Sequence, residues 1–374
     1  MTYSAAPVRY SSSVESLAPD EEETVAKLKD AVDEIQHTMD EHHGARLRGA
    51  HAKGQALLKA RLTVIDNLPP SLAQGLFASA GSYDAIMRFS TAPGDILDDS
   101  VSGPRGLALK ILEVEGERLP DTSSADGQDF LMVNGPIFPN ATPAKFLPGF
   151  KGLAKTTDKA PGLKKLVSAT LQTIEAGLES VGMPSPLVQT LGGAPNTQPL
   201  GDIFFTQVAS RYGDYIAKLS LAPVSPHLTA LAGTKVDAKD RPDALREDIN
   251  AVIQREGGVW ELRVQLCTDL EKMPVEDPTV EWDQDDSPFI AVARIEVAPQ
   301  ESWDDRASAD LQAQLAFSPW HGLAAFQPLG GISRARKSVY EHSQAFRGAT
   351  NACPMHASIS DAHPTSASGA LQPE

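Results

Sequence analysis

The feature that most constrains this chain is a period of two. In "VWELRVQLC", Val259 to Cys267, the residues Trp260, Leu262, Val264 and Leu266 alternate with polar ones. Successive side chains of a strand point to opposite faces, so this segment buries one face and solvates the other. "PFIAVARIEV", from Pro288, reads as a second such strand, and "RYGDYIAKLSL", from Arg211, as a third. Earlier, "AIMRFS" and "GLALKILEV" are short apolar runs broken by Gly, Pro and Asp, again strands joined by turns. Many strands in one long chain favour a barrel or sandwich with helices appended. The expected class is α+β, with an antiparallel β-barrel core. No internal repeat is visible.

Helical spacing appears in two places. Val25, Leu28, Val32, Ile35 and Met39 predict an amphipathic helix over 20–39, with Asp20 and the following glutamates suiting its N-terminus. Leu163, Leu166, Leu171, Ile174, Leu178 and Val181 predict another over 161–181. The serine-rich residues 1–19 read as a flexible N-terminus, residues 20–347 as one domain, and the polar residues 348–374 as a disordered tail.

Composition narrows the functional classes. A formal charge of −16 argues against nucleic acid and anionic membranes as partners. Two cysteines, Cys267 and Cys353, form no CxxC motif; this argues against a disulfide framework and fits a reducing, cytoplasmic setting. The N-terminus lacks the apolar core of a signal peptide, and no apolar run is long enough to span a membrane.

The chemistry concentrates in four segments. In "ISRARKSVYEHSQAFR", residues 336, 340 and 347 fall at roughly 0, 40 and 20 degrees around a helix starting near Ser333, so Arg336, Tyr340 and Arg347 share a face. That spacing also suits an ordinary half-buried tyrosine with surface arginines. The alternative is a tyrosinate metal ligand. A free tyrosine has a pKa of about 10, which a neighbouring guanidinium or a ferric ion lowers. In "RLRGAHAKG", His51 opens an apolar stretch behind the small residues Gly49 and Ala50. In "MRFSTAPG", Arg88 sits in an otherwise apolar strand and is costly to bury unpaired, and Ser90 shares its face. In "DFLMVNGPIF", Asn134 ends an apolar run and needs a partner.

Together these segments resemble the catalase family, and more closely its short branch of catalase-related haem peroxidases. The resemblance spans about Ala45 to Arg347. "RGAHAKG" is similar to the distal-histidine motif, "RFST" with "PRGLALK" to the block after it, "VNGPIF" to the distal-asparagine block, and "RARKSVY" to the proximal Arg-x-x-x-Tyr. The resemblance implies a barrel of the catalase type holding haem b, with Tyr340 as axial iron ligand and Arg336 on its phenolate oxygen. It implies His51 as the acid–base group, Ser90 orienting it, and Asn134 holding peroxide. Arg48, Arg88 and Arg347 would pair with the haem propionates, Phe146 would lie against the macrocycle, and Phe138 would wall the distal pocket. The implied activity is reduction of organic hydroperoxides and hydrogen peroxide through a ferryl intermediate, by a small-molecule reductant, with a homo-oligomer allowed. Fatty-acid hydroperoxide rearrangement, catalase activity and a non-catalytic haem-binding protein are the alternatives. Three departures stand out. Ala50 replaces the usual valine, the loop after Asn134 is one residue short, and the chain lacks the long arm and extra C-terminal domain of full catalases.

Overall fold

The structure is a computed structural model describing residues 5–120, 127–155, 157 and 196–348. Its centre is an antiparallel barrel. The strands are β1 (Gly54–Val64), β2 (Ser82–Thr91), β3 (Arg105–Leu112), β4 (Gly127–Val133), β5 (Phe204–Phe205), β6 (Ser210–Tyr212), β7 (Tyr215–Pro223), β8 (Gly258–Leu266) and β9 (Ile290–Val297). Their order is β5-β4-β3-β2-β1-β9-β8-β7-β6, and β5 also pairs with β7. That last pairing closes eight strands into a ring and leaves β6 as an extra strand on β7. Closure removes the unpaired edges an open sheet would expose.

The period-two reading holds for the inner faces, whereas on the outer face of β8, expected to be solvated, Gln265 is buried and donates to Trp282 O and Ser287 O. Trp260, Leu262, Val264 and Leu266 of β8 are buried, as are Val292, Ile295 and Val297 of β9. They meet Met87, Phe89, Leu107, Leu109 and Phe130 in one core inside the barrel. "RYGDYIAKLSL" differs from the expectation of a single strand. It is the hairpin β6–β7, with Tyr212 opposite Tyr215. Gly213, at φ 60°, turns the chain there, a conformation an L side chain resists.

Among the described residues, six helices surround the barrel: α1 (Glu21–His43), α2 (Pro143–Lys155), α3 (Pro226–Thr229), α4 (Ala244–Glu256), α5 (Ala307–Gln314) and α6 (Gly331–Arg347). Helix α1 buries Leu28, Val32, Ile35 and Met39, and runs one turn beyond the expected end until Gly44 caps it at φ 62°. Residues 5–19 are mostly exposed and touch the rest of the chain at single points. Val8 N–H donates to Cys267 O at 2.8 Å, and Tyr10 N–H to Asp214 O at 2.8 Å. The helix expected over 161–181 and the tail beyond Gly348 lie outside the described residues. No described helix is long and apolar enough to cross a membrane.

Candidate functional site

Strand register builds one wall of the site. On the outer face of the barrel, Ser90 lies opposite Gly106, and Gly106 opposite Val133. In the next row, Arg88 lies opposite Ala108, and Ala108 opposite Leu131. Small residues in the middle of both rows leave a trough. Helices α1, α2 and α6 roof it, contributing Leu28 and Val32, then Phe146 and Phe150, then Arg336, Val339, Tyr340 and Arg347. The cavity has a volume of about 290 Å³ and opens at a mouth, which puts it at the lower edge of the roughly 300–1,000 Å³ of ordinary small-ligand pockets.

His51 enters this space from the segment before β1. Its backbone is left-handed, at φ 52°. Its Nδ1 lies 3.2 Å from Ser90 Oγ. With the Ser90 proton on Gly106 O, 3.4 Å away, Ser90 accepts the Nδ1–H and the free lone pair sits on Nε2. The ring packs on bare backbone: a Cβ on Gly106 would lie 2.5 Å from both Cε1 and Nδ1 of His51. Burial first, then Arg88, Arg336 and Arg48, push the imidazole down to about 3, so it is neutral at pH 7. Its accessible surface is intermediate because one side opens on the cavity; protein encloses the others.

Across the cavity, Arg336 donates from Nη2 to Tyr340 Oη at 3.2 Å and stacks on the ring. The face read from the sequence is therefore real, and it points inward. Arg347, on the same face, donates to Ala313 O at 3.3 Å and leaves its Nε buried without a partner. Arg48 donates to Gln312 O at 3.0 Å and Leu315 O at 2.7 Å. Arg88 donates to Gln312 Oε1 at 2.9 Å and to His51 O at 2.7 Å. Burial is the first cause that lowers all three guanidiniums, holding Arg88 near about 9 and Arg347 near about 10, with Arg48 well below its usual range. Among the described residues, no carboxylate offsets this cluster. Three half-buried or buried cations facing one cavity form a receptor for a group carrying more than one negative charge.

Phe138 and Phe146 line the cavity with ring centroids 5.3 Å apart, and Phe150 stacks on Phe146 at 5.2 Å. Asn134 stands apart from the rest. Its Oδ1 accepts from Arg105 N–H at 2.8 Å and its Nδ2 donates to Asp202 at 3.0 Å. It does not line the cavity. The short loop after it turns at once into Gly135, and Oδ1 and one of the two Nδ2 hydrogens are engaged by Arg105 and Asp202. The sequence reading missed Gln312, which ties the arginines to α5, and Gly106 and Ala108, whose alternation within "GLALK" could have marked an outward face made of small residues.

A planar, anionic group fits this donor set. A phenol held by a guanidinium could serve as an anionic ligand to a metal at its centre, the arginine cluster would take its acidic substituents, and the aromatic and aliphatic lining would take its faces.

No family model and no curated protein matches the sequence. Solved structures do match. A fungal catalase superposes with a TM-score of 0.58 at 19% identity, covering 93% of this chain and 66% of that one. Catalase A from Saccharomyces cerevisiae gives 0.57 at 17% identity, covering 93% and 68%. A bacterial catalase gives 0.56 at 17%, covering 84% and 60%. The chain thus spans 60–68% of the length of these catalases. At such identities the likeness establishes architecture: this chain has the fold of catalases.

Proposed function

We propose that this protein belongs with the catalase-related haem proteins, binds haem b, and is a haem-dependent peroxidase that reduces organic hydroperoxides and hydrogen peroxide with a small-molecule reductant. The observation that carries the reading is the pairing, within one cavity, of an arginine-held tyrosine with three uncompensated guanidiniums. Tyr340 would ligate the iron, with Arg336 favouring its phenolate. Arg48, Arg88 and Arg347 would hold the two propionates, and Phe138 and Phe146 would pack near the macrocycle.

When bound, haem supplies the electrons that cleave the O–O bond. The chain's residues manage the proton. His51, neutral and with Nε2 unprotonated, takes the proton of the hydroperoxide and returns it to the leaving oxygen. Ser90 keeps the tautomer that makes this possible. Asn134 would reach the peroxide through the second hydrogen of its Nδ2, since Oδ1 accepts from Arg105 N–H and the other Nδ2–H donates to Asp202. Exposed Ala50 and the aromatic wall favour substrates with an apolar tail.

The test is to load the full chain with haem and offer hydrogen peroxide, cumene hydroperoxide and a fatty-acid hydroperoxide, with and without an electron donor. Alcohol formation coupled to donor oxidation is expected. Oxygen evolution from hydrogen peroxide alone would name a catalase, a rearranged fatty acid a hydroperoxide isomerase, and haem without turnover a binding protein. Tyr340→Phe should lose most bound haem and its tyrosinate spectrum; full haem content with an unchanged spectrum overturns the ligand assignment.

A further inference from the structure

Arg88 has two loyalties. Its side chain lines the cavity together with Arg48 and Arg347. Its Nη2 also donates to His51 O at 2.7 Å and approaches Ala52 O at 3.4 Å. His51 is one of five non-glycine residues with positive φ among the described residues, and such backbone persists only where its surroundings over-determine it. Two further bonds hold the same turn, from His51 N–H to Ala92 O at 2.8 Å and from Ala52 N–H to Pro93 O at 3.1 Å. Arg88 is itself aimed by Gln312, whose Oε1 accepts from Nε at 2.9 Å. Gln312 in turn lies over Gly54, where a Cβ would collide with its amide oxygen.

We propose that Arg88 is a positioning residue for His51, with Gln312 setting the guanidinium that does it. An arginine that only met an anion would need no bond to this carbonyl. The fixed fork of a guanidinium lets one side chain serve both. The backbone turn at His51 decides where the imidazole meets Ser90 and Gly106, so Arg88 links the anion cluster to the acid–base group through one covalent unit. The proposal rests on the reading of His51 as the acid–base residue, but its structural half does not depend on haem.

The experiment follows amide hydrogen exchange across 50–53 in the full chain without haem, for wild type, Arg88→Leu, Gln312→Leu and Arg48→Leu. The loss of one charge-assisted hydrogen bond should speed exchange at His51 and Ala52 by about tenfold or more in Arg88→Leu. Gln312→Leu, which keeps the Arg88 charge, should move the same amides in the same direction. Arg48→Leu, which removes a neighbouring cation but no bond to this turn, should leave them as in wild type. Protection across β8 shows that the barrel is intact, and if Arg88→Leu does not fold, Gln312→Leu decides. With saturating haem, Arg88→Leu should also lower turnover per bound haem, whereas Arg48→Leu should act on haem retention. Wild-type exchange in both Arg88→Leu and Gln312→Leu, or faster exchange with unchanged turnover per haem, overturns the proposal. Failure to bind haem at all would sink the functional reading and leave the exchange result standing.

Discussion

A histidine ring packed against a glycine is a demanding piece of construction, and it makes Gly106 as informative as His51. A methyl at position 106 would sit 2.5 Å from two ring atoms and 3.0 Å from Ser90 Oγ. Backbone on β3 cannot retreat, so the ring must. Gly106→Ala should cost about 1–3 kcal/mol as overpacking. In the haem-loaded protein it should slow peroxide cleavage by about 10²-fold or more, the typical worth of a placed acid–base group. Urea unfolding and stopped-flow kinetics check the two halves, and wild-type kinetics would detach the ring position from the chemistry. The pH dependence follows from the same residue. His51 titrates near about 3 in the fold, against about 6.5 for a free imidazole. The unfolded chain therefore takes up a proton between those values that the folded chain refuses, so stability falls as pH drops from about 6.5 towards 3. By pH 4 the loss should be about 2–4 kcal/mol at roughly 1.4 kcal/mol per unit. His51→Asn should flatten this acid limb in urea titrations at pH 7 and pH 4; an unchanged limb would place the acid sensitivity elsewhere.

At the scale of elements, helix α6 carries the tyrosine, and its first turn is anchored more heavily than its sequence advertises. Arg334 donates to Glu21 at 2.8 Å, to Glu15 at 2.8 Å and to Glu276 at 3.0 Å, while Gly330 and Gly331 N–H groups donate to Glu15 and Glu276. Three segments distant in sequence meet at one guanidinium. Hydrogen bonds to charged groups contribute about 1.5–3 kcal/mol, and the carboxylates would be left facing each other without it. Arg334→Leu should lower unfolding stability by about that much and weaken haem retention, measured by urea titration and haem content. Equal stability would mean the helix N-terminus alone holds the carboxylates. This cluster also marks the limit of sequence reading. The inward face of α6, helix α1 and the buried sides of β8 and β9 were legible because periodicity is local. The Arg334 cluster, the contacts of residues 5–19 and the link from Gln312 to Arg88 were not, because each joins segments by tertiary approach. The β6–β7 hairpin was misjudged for a different reason: the aromatic residues on either side of Gly213 hid a turn inside an apolar run. The partners of Asn134 were not legible because a motif gives the residue and not the groups its amide will find.

For the whole molecule, the contrast of charge is between a chain of formal net charge −16 and a cavity lined by four arginines. Buried charges are screened weakly by salt, so retention of an anionic group should depend on desolvated contacts more than on ionic strength. The remaining selectivity is steric and apolar. Ala50 is exposed towards the cavity, one residue before His51, with Val32, Phe146 and Phe150 also lining it. An alkyl or aryl tail gains about 25 cal/mol for each Å² it buries, so about 100 Å² of contact contributes roughly 2.5 kcal/mol. That is nearly two powers of ten in affinity, and hydrogen peroxide gains none of it. Ala50→Val fills the space beside the histidine with two methyl groups. The larger wall should penalise a bulky tail by about 1–3 kcal/mol and leave hydrogen peroxide nearly untouched. The ratio of kcat/KM for cumene hydroperoxide to that for hydrogen peroxide should therefore fall about tenfold in Ala50→Val. Haem content should stay at the wild-type level, since the substitution touches neither Tyr340 nor the arginine cluster. An unchanged ratio would mean that bulky substrates enter past another wall. Brisk oxygen evolution from hydrogen peroxide with no reaction of cumene hydroperoxide would mean that the open cavity serves small peroxide after all.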